Sequence, residues 1–297
     1  MPELPEVEVL VRHLDPTLRG KIIHAIQVRR PKVIAPTSSR AFRRALLGTV
    51  FAGVSRRGKY LVFALRPGEA ARSGGSAGAR RASPASAVVL LGHLGMTGRM
   101  YLLRADAPLP KHAAVVMDLG RTKFVFEDTR YFGRLTLDSS LIERLGPEPL
   151  SDQFKAQSLL RALKRSQQPI KTRLLDQALV AGIGNIYASE ALFRAQVAPT
   201  LAARDLTAAQ VARLWRAIRA VLREAISLGA TVPLNYAGTG RRDGLFYYGR
   251  APGAADYYEE RLRVYDRVGL PCSRCRTPIQ RLVQAGRSTY YCPRCQG

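Results

Sequence analysis

The stretch Leu145-Gly146-Pro147-Glu148-Pro149-Leu150 divides the chain into two parts with different sequence periodicity. Upstream of it, residues 22–137 contain mainly short apolar runs of the β type. Downstream of it, apolar residues recur at helical spacing. Because glycine and proline interrupt both helices and strands, we predict a domain boundary at this stretch. A β-rich part followed by a helical part predicts an α+β protein.

The upstream part is predicted to begin with a helix and to continue as antiparallel strands. Apolar residues within 7–14 repeat at helical spacing, and Gly20 follows as a C-terminal stop. Strand-like runs then include 60–65, 87–91, 113–119 and 122–127. Gly120 and Arg121 separate the last two runs and predict a tight hairpin. We therefore expect an antiparallel sandwich or barrel.

Two segments lack any regular pattern. Residues 67–87 contain no large apolar side chain, so we expect a mobile surface insertion that adds nothing to the core. Residues 236–260 mix glycine, tyrosine and charged residues without a period. Long loops of this kind in compact domains are often functional, and we expect a flexible loop here.

A long helix is predicted in the downstream part. Thr207 and Gln210 have the spacing of a capping box, and Gly229 is placed to end the helix. The apolar stripe between them, predicted to be core, consists of Val211, Leu214, Trp215, Ile218, Val221, Leu222 and Ala225.

The charge of the chain indicates a polyanionic partner. Among 297 residues, 47 Lys and Arg against 22 Asp and Glu give a net charge of +25. A hydrophobic content of 46% is too high for a disordered polycation, so the charge must lie on the surface of a folded body. Nucleic acid is favoured over a membrane surface or an acidic protein. No apolar run approaches the roughly 18 residues of a bilayer span, and no signal-peptide pattern is present, so we expect a cytoplasmic protein.

The four cysteines predict a zinc site. They occur as two Cys-x2-Cys pairs separated by sixteen residues: Cys272, Cys275, Cys292 and Cys295. Each pair offers two thiolates from one tight turn, and two such turns complete a tetrahedron around Zn²⁺. Disulfides or free thiols are disfavoured in an intracellular chain. Four thiolates leave no open coordination position, so we expect one structural zinc that helps present Arg281 and Arg287 to phosphate.

Several motifs occur together in an order typical of one family. They are Met1-Pro2-Glu3-Leu4-Pro5-Glu6-Val7-Glu8, Arg57-Gly58-Lys59-Tyr60-Leu61, His93-Leu94-Gly95-Met96-Thr97-Gly98, the 145–150 stretch, Gly182-Ile183-Gly184-Asn185-Ile186-Tyr187-Ala188-Ser189-Glu190 and the cysteine pairs. Over nearly its whole length the chain resembles the bacterial formamidopyrimidine-DNA glycosylases.

The resemblance implies a domain organisation and an activity. It implies an N-terminal catalytic β-sandwich domain over residues 1–146, a helix-two-turn-helix domain over 147–262 with a base-contacting loop at 230–262, and a zinc finger over 263–297. The implied activity is that of a bifunctional glycosylase and lyase, which removes 8-oxoguanine and formamidopyrimidines and then nicks the DNA by β,δ-elimination. The implied partner is double-stranded DNA with oxidised bases or abasic sites, bound by a monomer.

The chemistry of the N-terminus agrees with this resemblance. Methionine before proline is usually excised, which exposes Pro2 as a secondary amine. The pKa of an α-amine lies well below that of a lysine side chain, so more of it is nucleophilic at neutral pH. Attack on the sugar C1′ gives an iminium that cannot lose a proton from nitrogen and therefore acts as an electron sink. The family assigns Glu3 as the acid that protonates the opening sugar; on sequence alone it could be a helix-start acid.

The resemblance also assigns DNA contacts and space-filling residues. Lys59 and Arg287 are assigned to elimination and phosphate binding, and Asn185 is assigned to phosphate binding. From the residues alone, Lys59 could be an ordinary surface charge. Asn185 also suits a helix cap. His93 and His112 are further phosphate-contact candidates, although an unassisted histidine is more often structural, and Arg130 is a further DNA-binding candidate. Because the lesion must leave the stack, a void has to be filled, and the family assigns this to Met96, Arg130 and Phe132. Composition alone would place Met96 and Phe132 in the core.

The chain departs from the family pattern in several places. Leu228-Gly229-Ala230-Thr231 replaces Gly-Gly-Thr-Thr, and Val264-Tyr265-Asp266-Arg267 replaces Val-Tyr-Gly-Arg. These changes flank the loop that contacts the everted base, so they bear on which lesion is removed and not on the type of reaction. Two alternatives to the implied activity stay open. One is an endonuclease VIII-like glycosylase for oxidised pyrimidines, and the other is a non-catalytic zinc-finger DNA-binding protein.

Overall fold

The computed structural model describes residues 2–68, 87–229 and 262–297, which form two compact units. Within these ranges the first unit contains Pro2, residues 6–143 and Gly229, and the second contains residues 3–5, 144–228 and 262–297. Most of the predicted insertion at 67–87 and of the predicted loop at 230–262 lies outside the described residues. The limits of the three predicted domains stay a prediction.

The first unit is an antiparallel β-sandwich, as predicted. One sheet has the order β1 (Ala25–Val28), β6 (Ala113–Asp118), β7 (Thr122–Asp128), β5 (Gly98–Arg104). The other has the order β2 (Thr49–Arg57), β3 (Tyr60–Pro67), β4 (Val88–His93), β8 (Arg134–Thr136). Neighbouring strands are antiparallel throughout. The sequence allowed either a sandwich or a barrel. Because the strands form two separate sheets, the fold is a sandwich.

Aromatic residues fill the space between the two sheets. Phe63 of β3 meets Phe124 of β7 edge to face, with ring centroids 5.6 Å apart. Phe51 of β2 lies 6.0 Å from Phe63 and completes the group. The helix α1 (Leu4–Leu18) adds Leu10 and Leu14 to the same core. Edge-to-face packing and area burial together make this cluster a major source of stability.

The predicted hairpin is present, but the region of predicted strands also contains a helix. Gly120 has φ +87°, and the Leu119 N–H donates to the Thr122 carbonyl, which closes the β6–β7 turn. The helix α2 (Ser39–Leu46) and a 3₁₀ turn at Pro31–Ile34 interrupt the strands of residues 22–137, and neither was predicted from the sequence. The Ser38 hydroxyl caps α2 by accepting the Ala41 N–H at 3.2 Å.

Helices dominate the second unit. The helices after the strands of the sandwich are α3 (Ser140–Glu143), α4 (Ala156–Leu163), α5 (Ile170–Leu174), α6 (Asn185–Ala195) and α7 (Ala208–Gly229), of which α3 belongs to the first unit. A hairpin of β9 (Gln280–Gln284) and β10 (Arg287–Tyr291) follows. None of the described helices is both long and apolar enough to cross a membrane.

The capping box and the apolar stripe of α7 are confirmed. The Thr207 N–H donates to Gln210 Oε1 at 2.8 Å, and the Gln210 N–H donates to Thr207 Oγ1 at 3.2 Å. The stripe lies in the core of the unit, and the Trp215 indole also donates to the Phe154 carbonyl at 2.8 Å. The α+β class predicted from the sequence is therefore correct.

Candidate functional site

The carboxylate of Glu3 lies at the N-terminus of α6. Glu3 is 2% exposed, and its oxygens accept backbone N–H groups from Gly184 at 2.6 Å, Ile186 at 2.9 Å and Tyr187 at 3.4 Å. The first N–H groups of a helix have no partner within the helix and attract negative charge. Glu3 therefore satisfies these donors, and the donors in turn hold the carboxylate in one place.

Two glycines allow the chain to approach α6 so closely. A Cβ on Gly184 would lie 2.3 Å from the Glu3 carboxyl carbon, and a Cβ on Gly182 would lie 2.7 Å from the Leu4 Cβ. Gly182 also has φ +87°, and its carbonyl accepts the Leu4 N–H at 3.0 Å. The Gly-Ile-Gly sequence is thus the local requirement for placing Glu3 at this helix end.

Asn185 contacts the β9–β10 hairpin both directly and through a buried lysine. Asn185 is the first residue of α6, so its amide does not cap the helix but donates to the Ser288 carbonyl at 2.9 Å. The Lys171 ammonium donates to Asn185 Oδ1, to Thr289 Oγ1 at 2.9 Å and to the Ser288 carbonyl at 3.1 Å. Arg287 is exposed immediately before these hairpin residues.

Lys171 was not predicted from the sequence, because a single lysine at the start of α5 has no distinguishing pattern. It is fully buried. Its pKa is lowered to about 8: burial is the main cause, the positive charge of Arg287 acts in the same direction, and the charge of Glu3 opposes both effects. The structure thus adds a cation to the candidate site residues Glu3, Asn185 and Arg287 of the second unit.

The four cysteines have the geometry of a tetrahedral metal site. Their sulfur atoms all lie within 4.8 Å of one another, with Cys272 and Cys295 at 3.9 Å and Cys275 and Cys292 at 3.4 Å. Four sulfurs around zinc, each at about 2.3 Å from the ion, would be about 3.8 Å apart. The donor set therefore fits one structural Zn²⁺, as predicted.

Glu190 anchors the segment that leads into the cysteines. Its carboxylate accepts the backbone N–H groups of Arg263, Val264 and Tyr265, each at 2.9 Å. Burial raises the pKa of Glu190, and these three donors oppose that shift. The next residue, Asp266, has φ +58°, which explains why the family pattern has glycine at this position; aspartate is among the few residues that adopt this conformation readily.

In the first unit, Lys59 and His93 lie close together. Lys59 is 6% exposed, so it is not a solvated surface charge. The His93 ring packs against Tyr60 at 4.9 Å, and its Nδ1 accepts the Gly95 N–H at 3.1 Å. Burial and the charge of Lys59 lower the pKa of His93 to about 4. A neutral ring that accepts at Nδ1 carries its proton on Nε2, which leaves Nε2 as a donor.

The candidate space-filling residues occupy two turns of the same unit. Met96 is 42% exposed and Phe132 is 52% exposed, so the core placement expected from composition alone was wrong. The Arg130 guanidinium lies 4.8 Å above the Phe132 ring. His112 has its Nδ1 3.5 Å from the Tyr131 hydroxyl beside this turn.

The predicted site residues are thus distributed over both units. The described first unit contains Lys59, His93, Met96, His112, Arg130 and Phe132, and the second contains Glu3, Asn185, Arg287 and the four cysteines. Pro2 is buried and is joined directly to Glu3 by the peptide bond.

Comparison with protein families gives three matches along the chain. The N-terminal domain of formamidopyrimidine-DNA glycosylase matches residues 1–135, and the H2TH domain of the same family matches residues 145–234. A zinc finger found in this family and in isoleucyl-tRNA synthetases matches residues 269–297.

Individual proteins match over the full length. The formamidopyrimidine-DNA glycosylase of Thermus thermophilus is 42% identical, and the alignment covers 100% of this chain and 99% of that protein. The enzyme of Desulforamulus reducens is 39% identical with the same coverage. A Lactococcus lactis structure, solved with DNA that contains a formamidopyrimidine-guanine lesion, is 32% identical with a TM-score of 0.81 and covers 99% of both chains.

Gly184→Ala is expected to destabilise the protein by about 1–3 kcal/mol, because the new methyl group would overlap the Glu3 carboxyl carbon. Urea unfolding measures this loss. In a Glu3→Ala background the penalty should shrink, since the overlapping group is gone. The control is Gly48→Ala, where φ is +75° but no atom lies within 4 Å of the added carbon, so only the backbone cost of about 1 kcal/mol applies. A Gly184→Ala penalty that is unchanged by Glu3→Ala would contradict this interpretation.

His93 should make stability depend on pH between 6.5 and about 4. Over that range the unfolded state binds the proton and the folded state resists it, so the free energy of unfolding falls as the pH falls, by up to about 3 kcal/mol. Urea unfolding of His93→Gln across this range should lack this component. The exposed His24 provides the control, and identical pH profiles for His93→Gln and His24→Gln would refute the assignment.

Proposed function

Because this chain belongs to the formamidopyrimidine-DNA glycosylase family, we propose that it excises oxidised purines from double-stranded DNA and then cleaves the strand at the abasic site. The observation that carries the proposal is the fixed carboxylate of Glu3, buried and held by three backbone N–H groups directly after Pro2. An acid and an adjacent secondary amine are the two groups that a combined glycosylase and lyase requires.

The substrate class follows from the relatives and from the charge. Solved relatives contain DNA with a formamidopyrimidine-guanine lesion or with an abasic site. We assign the same class to this chain, namely 8-oxoguanine, formamidopyrimidines and abasic sites in duplex DNA, bound by a monomer in the cytoplasm. The net charge of +25 supports a DNA partner. The names of the relatives favour oxidised purines over the pyrimidines of the endonuclease VIII-like alternative.

Pro2 supplies the nucleophile once Met1 has been removed. Its nitrogen attacks the sugar C1′, the bond from C1′ to the damaged base breaks, and the base takes up the proton that the Pro2 amine loses. The bond from C1′ to the ring oxygen then breaks as that oxygen accepts a proton, which gives an iminium between Pro2 and C1′. The resulting iminium draws electrons from the sugar, so loss of a C2′ proton expels the 3′ phosphate, and a second elimination expels the 5′ phosphate. Hydrolysis of the iminium then frees the enzyme. Glu3 is assigned to proton transfer at the sugar ring oxygen as the ring opens.

The remaining polar residues are assigned to the DNA backbone. Lys59 is a buried cation and His93 offers an Nε2 donor, so both suit the phosphates beside the lesion. Asn185 and Arg287 are assigned to phosphates in the second unit, where Lys171 fixes the Asn185 amide. His112 is a further phosphate-contact candidate. One Zn²⁺, held by the four cysteines, keeps the β9–β10 hairpin in shape and takes no part in the reaction.

Met96, Arg130 and Phe132 are assigned to the void left by the extruded base. Their exposure on turns supports this role, since side chains that enter a duplex must be accessible. The domain limits of 1–146, 147–262 and 263–297 complete the proposal, with the loop at 230–262 assigned to the extruded base.

Borohydride trapping tests the nucleophile. A duplex with 8-oxoguanine, mixed with the full chain and reduced, should yield a covalent adduct on the peptide that begins at Pro2. Pro2→Gly should trap far less, because the pyrrolidine that forms a permanently charged iminium is lost. Peptide mapping distinguishes the outcomes: an adduct on Lys59 would assign the nucleophile to that lysine, and no adduct with the unaltered chain would favour the non-catalytic DNA-binding alternative.

Glu3→Gln tests the acid. Base excision should fall by at least about 100-fold, because general acid catalysis is lost, while the affinity for lesion DNA should remain within about threefold. Single-turnover kinetics and fluorescence anisotropy measure the two quantities. The new amide would place an N–H group against at least one backbone N–H, which destabilises the fold. Thermal unfolding therefore has to show that the variant is folded under the assay conditions. Excision that survives in a folded variant would remove Glu3 from the mechanism.

A further inference from the structure

The turns that carry Met96 and Phe132 are packed backbone against backbone. A Cβ on Gly95 would lie 2.7 Å from the Gly133 nitrogen, and Gly95 has φ +62°. A Cβ on Gly133 would in turn lie 2.9 Å from the His93 carbonyl oxygen. The two turns therefore touch at their glycines, immediately beside the exposed side chains.

One buried carboxylate binds both turns. Asp128, the last residue of β7, has no exposed surface. Its Oδ1 accepts the Thr97 hydroxyl at 2.6 Å and the Arg130 N–H at 3.1 Å, and its Oδ2 accepts the Gly133 N–H at 2.7 Å. Thr97 directly follows Met96, so the two oxygens link both turns through three donors.

These contacts restrict the turns more than apolar packing would. Hydrogen bonds to a charged acceptor are shorter and stronger than neutral ones, and each fixes a direction as well as a distance. A buried carboxylate is also costly to leave unsatisfied, so the three donors and the acceptor hold one another in place. Exposed side chains on such turns lose less conformational entropy when they insert into DNA than side chains on turns without these hydrogen bonds.

We propose that Asp128 is the positioning residue that keeps Met96, Arg130 and Phe132 in register, so that they enter the duplex as one unit when the damaged base leaves the stack. The inference rests on the proposed function, which assigns these three side chains to the void. Asp128 touches neither the lesion nor the reacting atoms in this proposal; it acts through the two turns.

Asp128→Asn tests this role. The new amide would point at least one N–H toward a donor, so the two turns should lose their common anchor. Single-turnover excision of 8-oxoguanine should fall by about tenfold or more, whereas nicking of a preformed abasic site should change by less than about threefold, because no base has to be extruded. The rise in fluorescence of a 2-aminopurine opposite the lesion, which reports unstacking on binding, should also shrink.

Two further variants control this result. Asp118→Asn makes the same substitution where the carboxylate accepts the Gly120 N–H of the β6–β7 turn at 2.8 Å, and it should leave excision within about twofold. Thr97→Val removes only the donor beside Met96, and should lower excision in the same direction as Asp128→Asn but by less. This variant keeps the test available if Asp128→Asn fails to fold. Equal losses on both DNA substrates would overturn the inference.

A double-mutant cycle separates positioning from general stability. In a Met96→Ala/Phe132→Ala background, Asp128→Asn should lower excision by no more than about twofold further, because two of the three side chains that it positions are absent. If the background variant excises normally, the void-filling assignment itself fails. If the background variant is impaired and Asp128→Asn still acts at full strength, the assignment stands and the positioning role of Asp128 is refuted.

Discussion

The carboxylate of Glu3 at the N-terminus of α6 is the interaction on which the geometry of the second unit's site depends. It requires the two glycines of the preceding turn, since any side chain there would occupy the space of Glu3 or Leu4. The same helix then presents Asn185 toward Ser288 and Glu190 toward residues 263–265. One short helix thus sets the positions of a candidate acid, a candidate phosphate ligand and the start of the cysteine-bearing segment.

A common principle relates three of the buried acids of this basic protein. Glu3, Glu190 and Asp128 are each buried, and each accepts at least two backbone N–H groups. Burying a carboxylate is unfavourable unless such donors surround it, and the donors then lose their freedom as well. In a chain with a net charge of +25, these buried acids hold main-chain segments in place in the interior, while much of the excess positive charge lies on the surface.

Motifs made of residues that are close in the sequence predicted the architecture well, whereas contacts between residues that are far apart in the sequence could not be predicted. The Thr207–Gln210 box, the Gly120 hairpin and the cysteine spacing each depend on residues that are close in the sequence, and each is confirmed. The helix α2 was missed because its cap and two buried apolar residues span barely two turns. Lys171 could not be recognised, because its partners lie on α6 and β10 and leave no period in the sequence. Asp128 could not be recognised as a link between two turns, because Thr97, its partner in the other turn, lies 31 residues away in the sequence. The roles of Pro2, Glu3 and Lys59 came from the family resemblance and stay predictions.

The way Glu190 holds the segment before the cysteines affects how freely that segment can change. All three of its donors are main-chain N–H groups, and Ser288 likewise offers its main-chain carbonyl to Asn185 and Lys171. Recognition of the main chain is indifferent to side-chain identity as long as the local φ and ψ are kept. Aspartate at position 266 meets that condition with φ +58°. Sequence drift in this segment is therefore buffered: substitutions can accumulate there over evolutionary time while the docked position of the finger is inherited unchanged.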